Sequence, residues 1–243
     1  MRTGFRFIII FGWLLAGPTS AATDDPLAAD RALFLKAHKA LNEKRFRDYR
    51  KLEKQLSNYP LYPYLEFWDM RSNLVHVSNE DIADFIERHQ GESVSARMRQ
   101  SLLYQLARQQ DWDTFLDVYS GNQPVTLQCY KLQGQIKTGQ EQGLADAALK
   151  LWMIGKSQVK NCDPVFKYLE DNKLITDELR WQRIRLAMHA GNPSLARYLA
   201  KPLPEEDRAW VDLWREARNH PVKTLDSPKL KKDSAHAREI ILY

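Results

Sequence analysis

Apolar residues recur at intervals of three and four along most of this chain, and no stretch alternates at period two over several residues. Leu33, Phe34, Ala37, Ala40 and Leu41 make the first such stripe. Asp25-Pro26 precedes it, a cap residue followed by a proline suited to the first helical position. Prolines 60 and 63 interrupt the next pattern, and Pro63 suits the start of a helix loaded with Tyr64, Leu65, Phe67 and Trp68. Ser78, with Asp81 three residues on, reads as a capping-box-like opening for DIADFIERH. Met98, Leu102, Leu103 and Leu106 place a helix near 95–109. Further helices are predicted near 126–138, 141–155, 163–172, 176–190, 193–201 and 205–219, with Asp163 and Thr176 as caps. Asp177 and Glu178 suit the positive end of the dipole that follows Thr176. The expectation is an all-α fold with almost no strand.

Glycines 91, 121, 155 and 191 punctuate the helical stripes at separations of 30, 34 and 36 residues, a period typical of helix-turn-helix solenoids. Glycine suits such places because helix ends favour a left-handed backbone position that has no β-carbon penalty there. Between positions 221 and 233 the pattern dissolves into PVKTLDSPKLKKD, read as a loop or an imperfect repeat, and helix resumes at Ser234. The apolar end at Ile240, Ile241, Leu242 and Tyr243 is the kind of edge that a further repeat would cover, so the chain is expected to be incomplete there.

The first 22 residues have the three parts of a secretory signal. Arg2 and Arg6 precede an apolar run from Phe7 to Ala16, and Gly17-Pro18 and small residues follow. Cleavage after Ala22 or Ala21 fits this pattern, leaving 23–243 as the mature domain. A membrane anchor is the alternative, but ten apolar residues reach only about 15 Å, half of a hydrocarbon core. The expectation is therefore an exported chain, with no stable membrane insertion after cleavage. Loss of Arg2 and Arg6 lowers the net charge from +5 to +3, which offers nothing to a nucleic-acid partner.

Export bears on Cys129 and Cys162, the two cysteines of the sequence. An oxidising compartment favours a disulfide and only one pairing is possible, with two buried free thiols as the alternative. In a helical array, helices two apart run parallel. Cys129 falls in the first turns of one helix and Cys162 just before the helix two later, so a bond between them would tie consecutive repeats together. Four metal ligands at short spacing are missing, and no phosphate-binding, dinucleotide-binding or nucleophile-elbow motif is present. No cofactor is expected.

The side chains with chemistry are scattered. Histidines 38, 76, 89, 189, 220 and 236 form no HExxH or comparable pair. Glu205, Glu206 and Asp207 follow Pro204 and read as favourable charge in a first helical turn. Lysines 150, 156, 160, 167 and 173 read as a wet helix face, with contact to a glycan as the sharper alternative. Tryptophans 68, 112, 152, 181, 210 and 214 sit among leucines and alanines and read as core between repeats, although one or two could stack on sugar rings.

Five segments carry a resemblance. They are YPLYPYLEF at 59–67, LARQQDW at 106–112, QCY at 128–130, LWMIGKSQVKNCDPVF at 151–166 and RIRLAMHAGN at 183–192. In this order they resemble the N-terminal superhelical domain of the soluble lytic transglycosylases, periplasmic enzymes that cut peptidoglycan glycan strands. The resemblance implies a right-handed superhelix (α-solenoid) of helix-turn-helix repeats and a disulfide between Cys129 and Cys162. In that family a separate lysozyme-like domain carries one catalytic glutamate, which acts as acid and then base. The muramic acid hydroxyl closes a 1,6-anhydro ring. That glutamate is followed by serine and, further on, a Gly-Leu-Met-Gln element. Glu92-Ser93 is the only superficial match, and Val94-Ser95-Ala96-Arg97 follows it instead, so Glu92 is read as a loop-to-helix residue. No catalytic residue is carried over. The expectation is a scaffold part without its catalytic domain, with an exported helical-repeat adaptor for a protein or glycan as the alternative.

Overall fold

The computed structural model describes residues 25–242, so the expected signal segment and Tyr243 lie outside the described residues. Among the described residues there are fourteen α-helices and no strand. The helices are α1 (Ala28–Asn42), α2 (Phe46–Glu53), α3 (Tyr62–Ser72), α4 (Asn79–Arg88), α5 (Ser93–Gln109), α6 (Trp112–Val118) and α7 (Val125–Thr138). Then come α8 (Leu144–Trp152), α9 (Asp163–Asp171), α10 (Asp177–His189), α11 (Pro193–Ala200), α12 (Glu205–Asn219), α13 (Pro221–Leu225) and α14 (Ala235–Leu242). Single 3-10 turns occupy Leu74–His76 and Lys160–Cys162.

The chain forms two compact units, one through Asp69 and one from Met70, with the boundary inside α3. In the first unit α1 packs on α2. Phe34, Ala37 and Leu41 from α1 meet Tyr49, Leu56, Tyr59 and Leu65. Phe34 lies 5.4 Å from Tyr59 and 6.1 Å from Trp68 between ring centroids, tilted geometries favoured by ring quadrupoles. Tyr49 is fully buried and its hydroxyl donates to the Leu65 carbonyl at 3.4 Å.

In the second unit, helices adjacent in sequence pack on each other (α4 on α5, α6 on α7, α10 on α11), and second neighbours also touch (α5 with α7, α7 with α9, α12 with α14). Contacts to the first and second neighbour are what helix-pair repeats produce. Its largest apolar cluster runs from Leu132 to Ile240 and includes Trp152, Trp181, Met188 and Trp214. All fourteen helices together confirm the expected all-α class.

Caps explain most boundaries. Ser78 accepts from the Asp81 amide at 3.0 Å and its hydroxyl donates to the Asp81 carboxylate at 2.7 Å, as the sequence predicts. Thr176 accepts from Leu179 N at 3.3 Å, again as predicted. Asp163 differs: it is the first residue of α9, and Cys162 holds the cap position. Pro26 lies before α1, which opens at Ala28, while the Asp25 carboxylate accepts from Leu27 N at 3.1 Å. The stretch 221–233 holds the short helix α13 and turns, and Ser234 accepts from Ala237 N at 3.0 Å to open α14.

Helices α2 and α6 lie where no helix is predicted, and α8 spans Leu144–Trp152 instead of 141–155. Carbonyls in its last turn and just beyond it find side-chain donors. Gln158 Nε2 donates to Leu151 O at 2.9 Å, Arg183 Nε to Ile154 O at 3.2 Å, and Asn192 Nδ2 to Gly155 O at 3.4 Å. Buried carbonyls need partners, and donors from α10 and the following turn outcompete another helical turn. Gly191 has the expected positive φ of 75°, but Gly155 is not among the glycines with positive φ. Its role is close approach: an added β-carbon would clash with the Leu186 carbonyl oxygen and lie 2.8 Å from Ala190 Cβ.

Candidate functional site

The disulfide joins Cys129 in the second turn of α7 to Cys162 at the end of the 3-10 turn preceding α9, with Cα atoms 5.0 Å apart. Both cysteines are fully buried. Polar contacts reinforce the join: Gln133 Nε2 donates to Asn161 O and Asn161 Nδ2 to the Tyr130 hydroxyl, each at 2.6 Å. The turn that enters α9 is thus fixed to α7 by one covalent bond and two hydrogen bonds.

That anchored stretch, 153–163, forms one side of a groove of about 820 Å³ in the second unit. Phe166 and Lys167 of α9, Arg183 of α10 and Tyr198 of α11 line it, with Trp152 at the end of α8. Two arginines dominate its chemistry, and each is only 4% exposed. Arg180 is neutralised by a bidentate pair with Glu170, at 3.1 and 2.8 Å.

Arg183 has no carboxylate. Its Nε donates to Ile154 O, and its guanidinium carbon lies 4.5 Å from the Trp152 ring centroid and 5.7 Å from that of Phe166. Burial pulls its pKa down from the usual value to about 10, against the opposing influence of Tyr198 and Glu170. The group is still a cation at neutral pH. Its terminal N–H groups have no protein acceptor and are not among the sealed, unsatisfied donors. Arg183 lines the groove.

Tyr198, 64% exposed, stands at the rim with the Lys201 ammonium 5.3 Å from its ring centroid. Lys167 is engaged by Asp171 at 2.7 Å. The arrangement offers one preorganised planar cation, one further ammonium, an accessible aromatic face and a partly acidic rim. It has the parts to bind a small anionic group next to an apolar or sugar surface. It has no carboxyl group held beside a nucleophile.

The other residues singled out in the sequence are dispersed. Glu92 is exposed at the N-cap of α5, 3.3 Å from His89 Nδ1. His38 stacks on Trp68 with centroids 4.2 Å apart, and His236 on Trp181 at 4.3 Å. His189 meets the edge of Trp214. His76 and His220 are exposed. Glu205, Glu206 and Asp207 occupy the first turn of α12. Lysines 150, 156, 160, 167 and 173 are all exposed, and Lys167 alone among them lines the groove. Tryptophans 152, 181 and 214 are buried and 68, 112 and 210 half-buried, so none offers an open sugar platform. Sequence reasoning missed Arg183. The available signal was that Arg180 and Arg183 interrupt the apolar stripe of α10 formed by Trp181, Ile184, Ala187 and Met188, where a charge has to find buried partners. No group of three or more His, Cys, Asp or Glu side chains that could hold a metal occurs among the described residues. No helix of the described residues is long and apolar enough to cross a membrane.

No protein-family model matches this chain. It is similar to the soluble lytic murein transglycosylase of Escherichia coli strain K12, 28% identical over 220 residues, covering 90% of this chain and 34% of that protein. The Salmonella typhimurium protein of the same name is 29% identical over 187 residues, covering 76% of this chain and 29% of its own length. The chain thus spans about a third of the curated relatives it matches. Among solved structures, the 70 kDa soluble lytic transglycosylase of Escherichia coli superposes with a TM-score of 0.75 at 24% identity, over 89% of this chain and 35% of that one. An inactive mutant of the lytic transglycosylase Slt from Pseudomonas aeruginosa gives 0.76 at 28% identity, over 86% and 34%. The Escherichia coli enzyme has also been solved in complex with bulgecin A. The resemblance read from the five sequence segments holds across almost the whole chain.

Proposed function

We propose that residues 23–243 are the N-terminal scaffold part of a periplasmic soluble lytic transglycosylase, one that cleaves peptidoglycan between N-acetylmuramic acid and N-acetylglucosamine with a 1,6-anhydro product. The observation that carries this reading is the likeness over 90% of this chain against only 34% of the curated relative. The chain supplies a disulfide-pinned helical frame, and the acid–base chemistry belongs to a partner domain. General-acid cleavage of a glycosidic bond needs a carboxyl group whose pKa is raised in a cleft. The acidic side chains of the groove instead neutralise Arg180 and Lys167 or sit on its rim.

The test is to incubate the purified, oxidised chain with peptidoglycan sacculi. Retention on sacculi without release of anhydro-muropeptides is the expected outcome. Release by the chain alone, abolished by Glu92→Gln, would overturn the scaffold reading. An adaptor for a protein would show neither retention nor release.

A further inference from the structure

Resting on that scaffold reading, we infer that the groove around Arg183 is a carboxylate-binding pocket that takes the free carboxylate of a peptidoglycan stem peptide.

The first observation is an electrostatic debt. Arg183, 4% exposed, makes one protein hydrogen bond, to Ile154 O, from the five N–H donors of its guanidinium. Its neighbour Arg180, equally buried, has a dedicated carboxylate in Glu170. Two ring faces compensate part of the cost of burying Arg183 and none of its hydrogen-bonding capacity. A ligand carboxylate would complete for Arg183 what Glu170 completes for Arg180.

The second observation is how firmly the cation is held. Trp152 below it is 2% exposed. The Ile154 carbonyl that fixes Nε belongs to the turn that Gly155 seats on α10, and that turn leads to the Cys162 disulfide. The fork is therefore presented at one angle, the condition for bidentate recognition of a planar anion.

The third is the charge of the surroundings. Asp163, Glu170 and Asp171 line the same groove, alongside Lys167 and Lys201. That balance admits a monoanion and disfavours a phosphate dianion or a polyanion. The exposed ring of Tyr198 and the half-buried Phe166 and Leu195 offer apolar contact beside the cation, which suits a carboxylate carried on an alkyl or sugar-linked group.

The test uses the oxidised chain with N-acetylmuramyl dipeptide bearing a free terminal carboxylate, the same compound as its terminal amide, and a sugar-free L-tripeptide with a free C-terminus. Binding is followed by the NMR resonance of the Arg183 Nε–H and by calorimetry, with thermal unfolding recorded for each variant. The expected result is a shift of that resonance by the carboxylate form, with affinity about tenfold weaker for the amide. Arg183→Gln should lose binding by at least the same factor. Tyr198→Ala, at an exposed position, should weaken it several-fold without lowering the unfolding temperature. If Arg183→Gln unfolds, Tyr198→Ala and the amide carry the test. Equal binding of carboxylate and amide, with sacculi still retained, overturns the pocket and leaves the scaffold reading standing. Equal binding of the L-tripeptide overturns the stem-peptide assignment and points to a protein C-terminus. Carboxylate-selective binding of the muramyl dipeptide without retention on sacculi supports the pocket and counts against the scaffold reading.

Discussion

Gly155 sits so close to α10 that a β-carbon on it would clash with the carbonyl oxygen of Leu186. Neither partner is a flexible side-chain tip, since the second obstacle is Ala190 Cβ at 2.8 Å. Gly155→Ala must therefore push the 153–159 turn away from α10, weakening the hydrogen bonds of Arg183 and Asn192 to that turn. We expect a loss of about 1–3 kcal/mol, the usual range for overpacking a tight contact. Denaturant midpoints of the oxidised protein measure it. A change within about 0.5 kcal/mol would show that the turn yields freely.

This contact also shows where sequence reading stops. Periodicity in a single stripe reports which face of a helix is apolar, and so it located the longer helices and the caps at Ser78 and Thr176, while the short α2, α6 and α13 escaped it. Gly155 and Gly191 look alike at that level. One is needed for its backbone angle and the other for the space above it, and only the packing of α8's exit against α10 separates them. Arg183 is a similar case, because its stacking on Trp152 joins residues 31 positions apart and depends on α8 ending early. The disulfide was legible because two cysteines allow a single pairing and the family resemblance implies it. The division of the chain at Asp69 and Met70, inside a continuous helix, has no signal in the local pattern.

The Cys129–Cys162 bond closes a loop of 33 residues. In the chain-entropy model such a closure contributes about 3–4 kcal/mol by restricting the unfolded chain. Replacing both cysteines with alanine should lower stability by about that amount, and non-reducing peptide mapping of the parent protein should find the two peptides linked. Free thiols that alkylate without reductant would contradict the pairing.

Tyr49 makes the first unit sensitive to alkali. Burial pushes its phenol well above the ordinary tyrosine pKa, and the carboxylates of Asp69 and Glu53 add to this while Arg50 opposes it. Above about pH 10 the unfolded phenol loses its proton and the folded one keeps it. The folded state then binds more protons, so stability falls as pH rises, by roughly 1.4 kcal/mol per pH unit for one such group. Tyr49→Phe should cost about 0.5–1.5 kcal/mol at neutral pH for the lost Leu65 hydrogen bond, and should flatten the decline between pH 9 and 11. Denaturation midpoints across that range give the answer. An unchanged slope in the variant would remove Tyr49 as the cause.

The central claim is that this chain serves as the scaffold of a lytic transglycosylase. It is tested most directly by grafting residues 23–243 in place of the matching third of the Escherichia coli soluble lytic murein transglycosylase and assaying the hybrid on sacculi. The account predicts a folded, oxidised hybrid that releases anhydro-muropeptides at a rate within about tenfold of the parent enzyme. A hybrid that folds, forms the Cys129–Cys162 bond and releases none would contradict it.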